Sequence, residues 1–259
     1  MSKSALITGS SNGIGYELAK IHAENGYDLV LVARNKCKLD VLKGILQKKH
    51  GIKVHTIEKD LSLAGAAVEV YDELQEQNIT IDCLINNAGF GDIGLFADSD
   101  WNKQERMINL NVTALTHLTK LFLPGMIERG SGKILNVAST ASFQPGPTMS
   151  VYFATKAYVL SFSEAVNNEV RKKGVTVTAL CPGSTESGFH ATALGEERHV
   201  RERNLPSARE VAEYGYKAMM KGKAVAIPGF KNSIMATSVR FIPRSLVVKA
   251  ARKIQENKH

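Results

Sequence analysis

The stretch Ser4-Ala5-Leu6-Ile7-Thr8-Gly9-Ser10-Ser11-Asn12-Gly13-Ile14-Gly15 is the segment on which the architecture of this chain turns. Its first five residues form a short apolar run of strand type. Beyond Gly15, the residues Leu18, Ala19, Ile21 and His22 recur at helical spacing. A strand, a glycine turn and a helix in that order make a phosphate-binding element. Glycines let the backbone approach a pyrophosphate, and the helix N-terminus supplies free N–H groups and a partial positive charge. Glycine turns are common punctuation on their own; the place of this one, between a strand and a helix in a βαβ-sized unit, gives it meaning.

The same alternation continues along the chain. Candidate strands are Ala5–Thr8, Asp28–Ala33, Lys53–Glu58, Cys83–Asn86, Lys133–Ala138, Thr176–Cys181 and Ala224–Ile227, with helices near 13–25, 36–49, 62–77, 101–128, 151–173 and 207–221. This pattern predicts an α/β fold: a doubly wound, parallel, seven-stranded sheet with helices on both faces, in one domain, with ligands at the carboxyl ends of the strands. The chemistry-bearing stretches obey that rule. Gly9–Gly15, Arg34, Asp60, Asn86–Gly89, Ser139 and Pro182-Gly183 each fall just after a strand, whereas chance would scatter them over both ends.

Tyr152 and Lys156 stand four apart in Tyr152-Phe153-Ala154-Thr155-Lys156, so on a helix the phenol and the ammonium share a face. A free tyrosine, with a pKa of about 10, is a poor acid–base group near neutrality. A fixed positive charge beside it favours the phenolate, so Lys156 is expected to lower the Tyr152 pKa. Ser139, at the end of the fifth strand, can supply a hydroxyl that polarises a carbonyl. Tyr152 would then give its proton to the oxygen in reduction and take it back in oxidation.

Gly9, Gly13 and Gly15 run as Gly-x-x-x-Gly-x-Gly. Together with Asn86-Asn87-Ala88-Gly89, Ser139 thirteen residues before Tyr152, and the Tyr152/Lys156 pair, this resembles the single-domain branch of the short-chain dehydrogenase/reductase family, from about residue 4 to about 190. The resemblance implies a nicotinamide cofactor held by Gly9, Ser11, Asn12, Gly13, Ile14 and Gly15. It implies Asp60 and Leu61 near the adenine, Asn87 near the adenosine ribose, and Ala88 and Gly89 in a turn packed on the cofactor. Pro182, Gly183 and Thr185 would hold the nicotinamide amide, and Tyr152 and Lys156 would reach the nicotinamide ribose. Asn111 matches the family's fourth catalytic member, whose backbone holds a water leading to Lys156; Asn109 competes for that alignment. Substrate walls would come from Phe90-Gly91, from Ser142-Phe143-Gln144-Pro145-Gly146-Pro147, and from the loop after Gly183, with Phe189. A homodimer pairing the helices near 101–128 and 151–173 is implied too, with Leu115, Leu118, Leu121 and Phe122 as an apolar stripe shared between partner and sheet.

In this fold the residue ending the second strand reads the adenosine ribose. Here Ala33 stands where a carboxylate would select NAD, and Arg34, with Lys38 one turn on, can pair with a 2′-phosphate. NADP(H) is therefore expected over NAD(H).

Composition narrows the remaining classes. The three cysteines (Cys37, Cys83, Cys181) are scattered and suggest no disulfide framework, favouring a reducing, cytoplasmic setting. With a strand beginning by residue 4, no signal peptide is expected, and no apolar run approaches the roughly 20 residues of a membrane span. The seven histidines show no metal-ligand spacing, and Gly-Lys-Ser/Thr does not occur. The net charge of +8 lies wholly in residues 221–259, which carry nine Lys/Arg against Glu256. Residues 1–229 are read as the cofactor-binding catalytic domain and 230–259 as a basic extension packed on it. After Pro243, Val247, Ala250, Ala251 and Ile254 share one helical face with Lys249, Arg252 and Lys253 opposite. That face either covers the protein's own core, the favoured reading, or lies in an anionic membrane surface. The function expected is NADP(H)-dependent interconversion of a carbonyl and an alcohol on a small or apolar ketone, steroid or 3-oxoacyl substrate. The alternative is a catalytically silent NADPH-binding regulator of the same fold; no motif supports nucleic-acid binding.

Overall fold

A computed structural model describes residues 2–186 and 205–256. Seven strands, β1 (Ser4–Thr8), β2 (Asp28–Ala33), β3 (Val54–Glu58), β4 (Cys83–Asn86), β5 (Gly132–Val137), β6 (Val175–Leu180) and β7 (Val225–Ala226), form one sheet in the order β3-β2-β1-β4-β5-β6-β7. Every pairing is parallel. The central strands read as continuous apolar runs because helices bury both their faces. Alternate residues of β1 go to opposite cores. Ala5 and Ile7 pack with Leu18 and Ala19 of α1 (Gly13–Glu24), Leu39, Leu42 and Leu46 of α2 (Lys36–His50), and Val211 and Met219 farther along the chain. Leu6 faces the other way, into a core with Val70 and Leu74 of α3 (Ala66–Glu76).

On that second face the chain from Trp101 to Glu128 is helical throughout, as the periodicity predicts, but it contains a π-helical stretch. α4 (Trp101–Ile108) passes through the π turn Asn109–Ala114 into α5 (Leu115–Glu128). Leu115, Leu118 and Phe122 are buried against this chain's own sheet and α6 (Ser150–Val170), so most of the stripe expected to be shared with a partner is used internally. The helix expected from residue 62 starts only at Ala66. The Asp60 carboxylate accepts from the Ser62 N–H and hydroxyl at 3.0 and 2.7 Å, making a local turn, and Gly65 follows with φ +82°.

α7 (Ala208–Met220) opens with a capping box between Ser207 and Glu210. After β7 come α8 (Phe230–Ser238), which the sequence pattern did not predict, and α9 (Arg244–Glu256). On α9 Val247 and Ala251 are buried, whereas Ala250 and Ile254 are exposed. Among the described residues no helix is long and apolar enough to cross a membrane, and no cluster of side chains could hold a metal ion.

The chain adds β2 and β3 on one side of β1 and β4 to β7 on the other, so the sheet's direction of growth reverses between β1 and β4. At that switch point the loops leaving the two strands diverge and open a crevice.

Candidate active site

A cleft of about 1020 Å³ runs across the carboxyl ends of β1, β2, β4, β5 and β6. Its floor is the turn after β1. Gly9 and Gly13 have φ of +67° and +56°, a region that other residues rarely enter. A Cβ on Gly9 would fall 2.8 Å from Asn87 Nδ2 and 2.9 Å from Ala88 Cα. A Cβ on Gly15 would fall 2.4 Å from both Asn87 Nδ2 and the Gly9 carbonyl oxygen. These glycines therefore let two loops, those after β1 and β4, touch at the backbone. Asn87 locks them: its amide donates to the Thr8 and Gly9 carbonyls at 2.9 and 3.2 Å, while Thr8 Oγ1 accepts from the Asn87 and Ala88 N–H groups, each at 3.0 Å. Asn12 caps α1 with no side-chain bond to its first turn, and that turn carries no acid, which suits a helix end facing an anion.

Of the residues expected around a cofactor, Gly9, Ser11, Asn12, Gly13, Ile14, Arg34, Asp60, Leu61, Asn87, Ala88, Gly89, Tyr152, Lys156, Pro182, Gly183 and Thr185 line the cleft. Gly15 does not; it is buried beneath the turn, where its missing side chain permits the loop contact. At the β2 end Arg34 is exposed beside Asn35, Lys36 and Lys38, and the Asn35 side chain caps α2 by accepting from the Lys38 N–H at 2.9 Å. Burial pushes the Asp60 carboxyl up, but the Ser62 hydrogen bonds and the charges of Arg106 and Arg34 prevail and hold it below the usual carboxylate range. Arg106 pairs with Asp60 at 2.7 Å.

The other end of the cleft holds the acid–base groups. Ser139 caps a short 3-10 turn, accepting from the Ala141 N–H at 3.1 Å, and its hydroxyl lies 3.5 Å from the Pro182 carbonyl. It also hydrogen-bonds the Tyr152 side chain. Tyr152 is buried among Met107, Ala141, Met149 and Phe153, with Phe90 and Ile93 against the group. Lys156, 5 % exposed, donates to the Val137 carbonyl at 2.7 Å and lies 5.8 Å from the centroid of the Tyr152 ring. Spacing thus brought the pair together as expected, but the direction of the tyrosine's shift is the opposite of the one expected. Burial raises the Tyr152 phenol to about 12, with the Ser139 bond opposing it, and burial lowers the Lys156 ammonium to about 8. Removing both groups from water disfavours each charged form. At neutral pH the phenol is a protonated donor and the lysine remains mostly cationic.

Asn111 stands behind this pair, 1 % exposed, in the π turn. Its amide donates to the Phe90 carbonyl at 3.0 Å and to Thr155 Oγ1 at 3.1 Å, and its Oδ1 accepts from the Phe90 N–H at 3.2 Å. A Cβ on Gly89 would meet Asn111 Oδ1 at 2.9 Å and Lys156 Nζ at 3.4 Å, so Asn111 and Lys156 converge on the same glycine. A π turn at such a spot re-aims the helix without ending it. Asn109, the competitor, opens the same turn but is not among the buried polar residues.

Phe90 lines the cleft, but Phe143 does not. The 3-10 turn Thr140–Phe143 sends Phe143 against Leu115, Val159 and Leu160 instead, and it borders a separate hollow of about 530 Å³ with Pro145, Pro147 and Arg244. Phe189 and the rest of the expected loop, 187–204, lie outside the described residues. Gln144, expected as a substrate wall, lines the cleft, whereas reading the sequence missed Ile93, Met149, Asn232, Met235 and Ile254, all of which line it too. Met149 follows Thr148, a β-branched residue held at φ +66° whose carbonyl accepts from the Gly94 N–H at 2.8 Å; that strained corner starts α6 and aims Met149 inward. Asn232 and Met235 come from α8. A Cβ on Gly183 would fall 2.8 Å from Asn232 Nδ2, so a glycine there is the one sequence signal that another element closes on this point.

A glycine-floored crevice at a switch point, with a buried Tyr–Lys pair and a half-buried serine at one end, defines an oxidoreductase built around a nicotinamide dinucleotide. Residues 3–198 match the family model described as short chain dehydrogenase, and the chain belongs to that family. It is 35 % identical over 200 residues to the human very-long-chain 3-oxoacyl-CoA reductase, a match covering 75 % of this chain and 61 % of that protein. The chain therefore spans about three fifths of that relative's length. Among solved structures it resembles a short-chain dehydrogenase from Sphingobium yanoikuyae in complex with NADPH, at 33 % identity over 94 % of both chains with a TM-score of 0.85. It also resembles the bulky-bulky ketone specific alcohol dehydrogenase from Comamonas testosteroni, at 31 % identity over 92 % of both chains with a TM-score of 0.79.

Proposed function

We propose that this protein is an NADP(H)-dependent carbonyl reductase and alcohol dehydrogenase acting on an apolar ketone, steroid or 3-oxoacyl substrate. The observation that carries the reading is the convergence of Ser139, Tyr152 and Lys156 on one end of a cleft whose other end presents Arg34 and no carboxylate after β2. The cleft fits the dinucleotide. Its floor has no side chains where Gly9 and Gly13 turn, the α1 N-terminus faces it, and Arg34 with Lys36 and Lys38 lines the place for an adenosine 2′-phosphate. The cofactor, when bound, supplies the hydride chemistry.

The chain's own groups supply the rest. The Ser139 hydroxyl donates to the substrate oxygen and holds the carbonyl beside Tyr152. Tyr152 Oη gives its proton to that oxygen as negative charge develops in reduction, and accepts it in the reverse direction. Lys156, cationic at neutral pH, stabilises the phenolate left behind and is placed to hold a ribose. Asn111 and Thr155 fix the helix that carries both. Phe90, Ile93, Met149 and Met235 keep the reacting end apolar and exclude water, which strengthens each of these interactions. Completeness of the set weighs against a silent regulator. The human relative's name places 3-oxoacyl thioesters among the substrates to try first, and the Comamonas testosteroni neighbour's name does the same for bulky ketones.

The test is NADPH and NADH oxidation followed by absorbance with 3-oxoacyl thioesters, steroid ketones and bulky ketones. Turnover with at least one class, faster with NADPH, is expected; none with any would overturn the reading. In the Arg34→Ala variant NADPH affinity should fall tenfold or more while NADH changes little, because a charge-assisted bond to phosphate is worth roughly 1.5–3 kcal/mol. Equal losses for both nucleotides would remove Arg34 from the assignment.

A further inference from the structure

The outward face of α8 is a surface that nothing in the reaction uses. Phe230 and Phe241 are 81 and 83 % exposed, the two most exposed large apolar side chains among the described residues, and Ile234 between them is 52 % exposed. The helical turn continues past Ser238, through bonds from Arg240 N–H to the Thr237 carbonyl and Phe241 N–H to the Ser238 carbonyl. Residues 230 and 234, at i and i+4, therefore share one face of α8, and Phe241 extends this exposed apolar stripe from the turn that follows. The opposite face is spoken for: Ala236 is buried, and Asn232 and Met235 line the cleft. Two phenylalanines left in water on one short segment mark an interaction surface.

We propose that this stripe docks the protein on an anionic lipid surface, with the mouth of the cleft beside it. Charge complementarity selects that occupant. Residues 221–259 hold nine Lys/Arg against one acid, while the other 220 residues balance at 24 bases and 24 acids. Lys231, Arg240 and Arg244 flank the stripe in the sequence. A second copy meeting the stripe about a two-fold axis would set these cations against themselves, whereas anionic headgroups attract the cations and their acyl region receives the aromatic rings. The part of α9 that carries Val247 and Ala251 is not the docking element, since both are buried against the protein and Ile254 beside them lines the cleft. α8 is: its inner face walls the cleft and its outer face meets lipid, so an apolar molecule leaving the bilayer needs to travel only around one helix.

The full chain is sedimented with vesicles of phosphatidylcholine alone and of phosphatidylcholine mixed with phosphatidylglycerol, at low and physiological salt. Pelleting with the mixed vesicles at both salts, and not with the neutral ones, is the expected result. Phe230→Asp combined with Phe241→Asp should cut that partitioning by about tenfold or more, with an unchanged thermal midpoint as the control for folding. Three outcomes overturn the proposal. Wild-type protein that stays in solution even at low salt shows no affinity for the surface. A double variant that pellets like wild type shows adsorption by charge alone, without the stripe. Light scattering in which wild type self-associates and the double variant does not assigns the stripe to a second copy.

Discussion

In the proposed reaction Tyr152 has to release a proton from a place where its anion is poorly solvated. With the phenol raised to about 12 by burial, the enzyme stores it as the acid form, which suits reduction, and the cation of Lys156 must make the phenolate tolerable as it forms. Tyr152→Phe removes that proton and little else. Turnover should fall by roughly 10²- to 10⁴-fold, with NADPH affinity, measured by fluorescence titration, nearly unchanged; retention of more than about a tenth of the rate would mean that another group protonates the oxygen. Lys156 makes a second prediction. Burial brings its ammonium down to about 8, so its charge is present below that pH and lost above it. NADPH affinity should therefore weaken as pH rises from 7 through 8 to 9 in wild type, and Lys156→Ala should be weaker at every pH and lack that step. A flat wild-type titration over the range would dissociate Lys156 from cofactor binding. The sequence made the pairing of these residues legible, because i and i+4 on a helix must meet. It could not supply the sign of the tyrosine's shift, since desolvation depends on Met107, Met149 and Phe153, which the fold gathers from two segments.

At the scale of elements, what could be read locally was read well. Strand boundaries followed from apolar runs, and the crossover helices from their periodicity, because both signals are carried within a few residues. Misplacements arose where tertiary contacts decide. The π turn at Asn109–Ala114 leaves the apolar period intact and shows only through what Asn111 touches. α8 is short, its outer face is apolar and its inner face bears Asn232, so it carries no amphipathic signature of the usual sense; Phe143 sits in a loop whose direction is set by a 3-10 turn. Gly15 is the instructive case: its motif was recognised from spacing, and the structure sets it in the packing between two loops rather than in the lining of the cleft. That packing role is testable. Gly15→Ala would press a Cβ to 2.4 Å from Asn87 Nδ2 and the Gly9 carbonyl oxygen, and overpacking of this kind costs about 1–3 kcal/mol. Both a lower thermal midpoint without cofactor and weaker NADPH binding are expected, because the glycine turn and the Asn87 loop shift together. Loss of binding with an unchanged melting temperature would return Gly15 to direct contact with the nucleotide.

For the molecule as a whole, one contribution to acid sensitivity is expected far from the cleft. His22 is fully buried on α1 in the core that joins α1, β2 and α7, its Nδ1 2.8 Å from the Leu18 carbonyl and its ring edge-on to Tyr27 and Tyr216. Nε2 has no hydrogen-bond partner. Burial lowers the histidine from 6.5 to about 4, against the opposing Leu18 bond. In the folded chain the ring is thus neutral where the unfolded chain would already bind a proton. The unfolded state carries more protons between those two values, so stability is full above about 6.5 and declines as pH falls toward 4. At pH 5 the loss from this one residue is about 2 kcal/mol. Urea unfolding of wild type at pH 7.5 and 5 should show a drop of that order, beyond whatever the carboxylates add. His22→Phe keeps an aromatic ring against both tyrosines and removes the titration. Its stability at pH 7.5 should be lower by about 1 kcal/mol for the lost hydrogen bond, and its decline between the two pH values should be smaller than that of wild type by about 2 kcal/mol. Parallel declines for the two proteins would show that protonation of His22 does not open this core, and would move the acid sensitivity to the surface carboxylates.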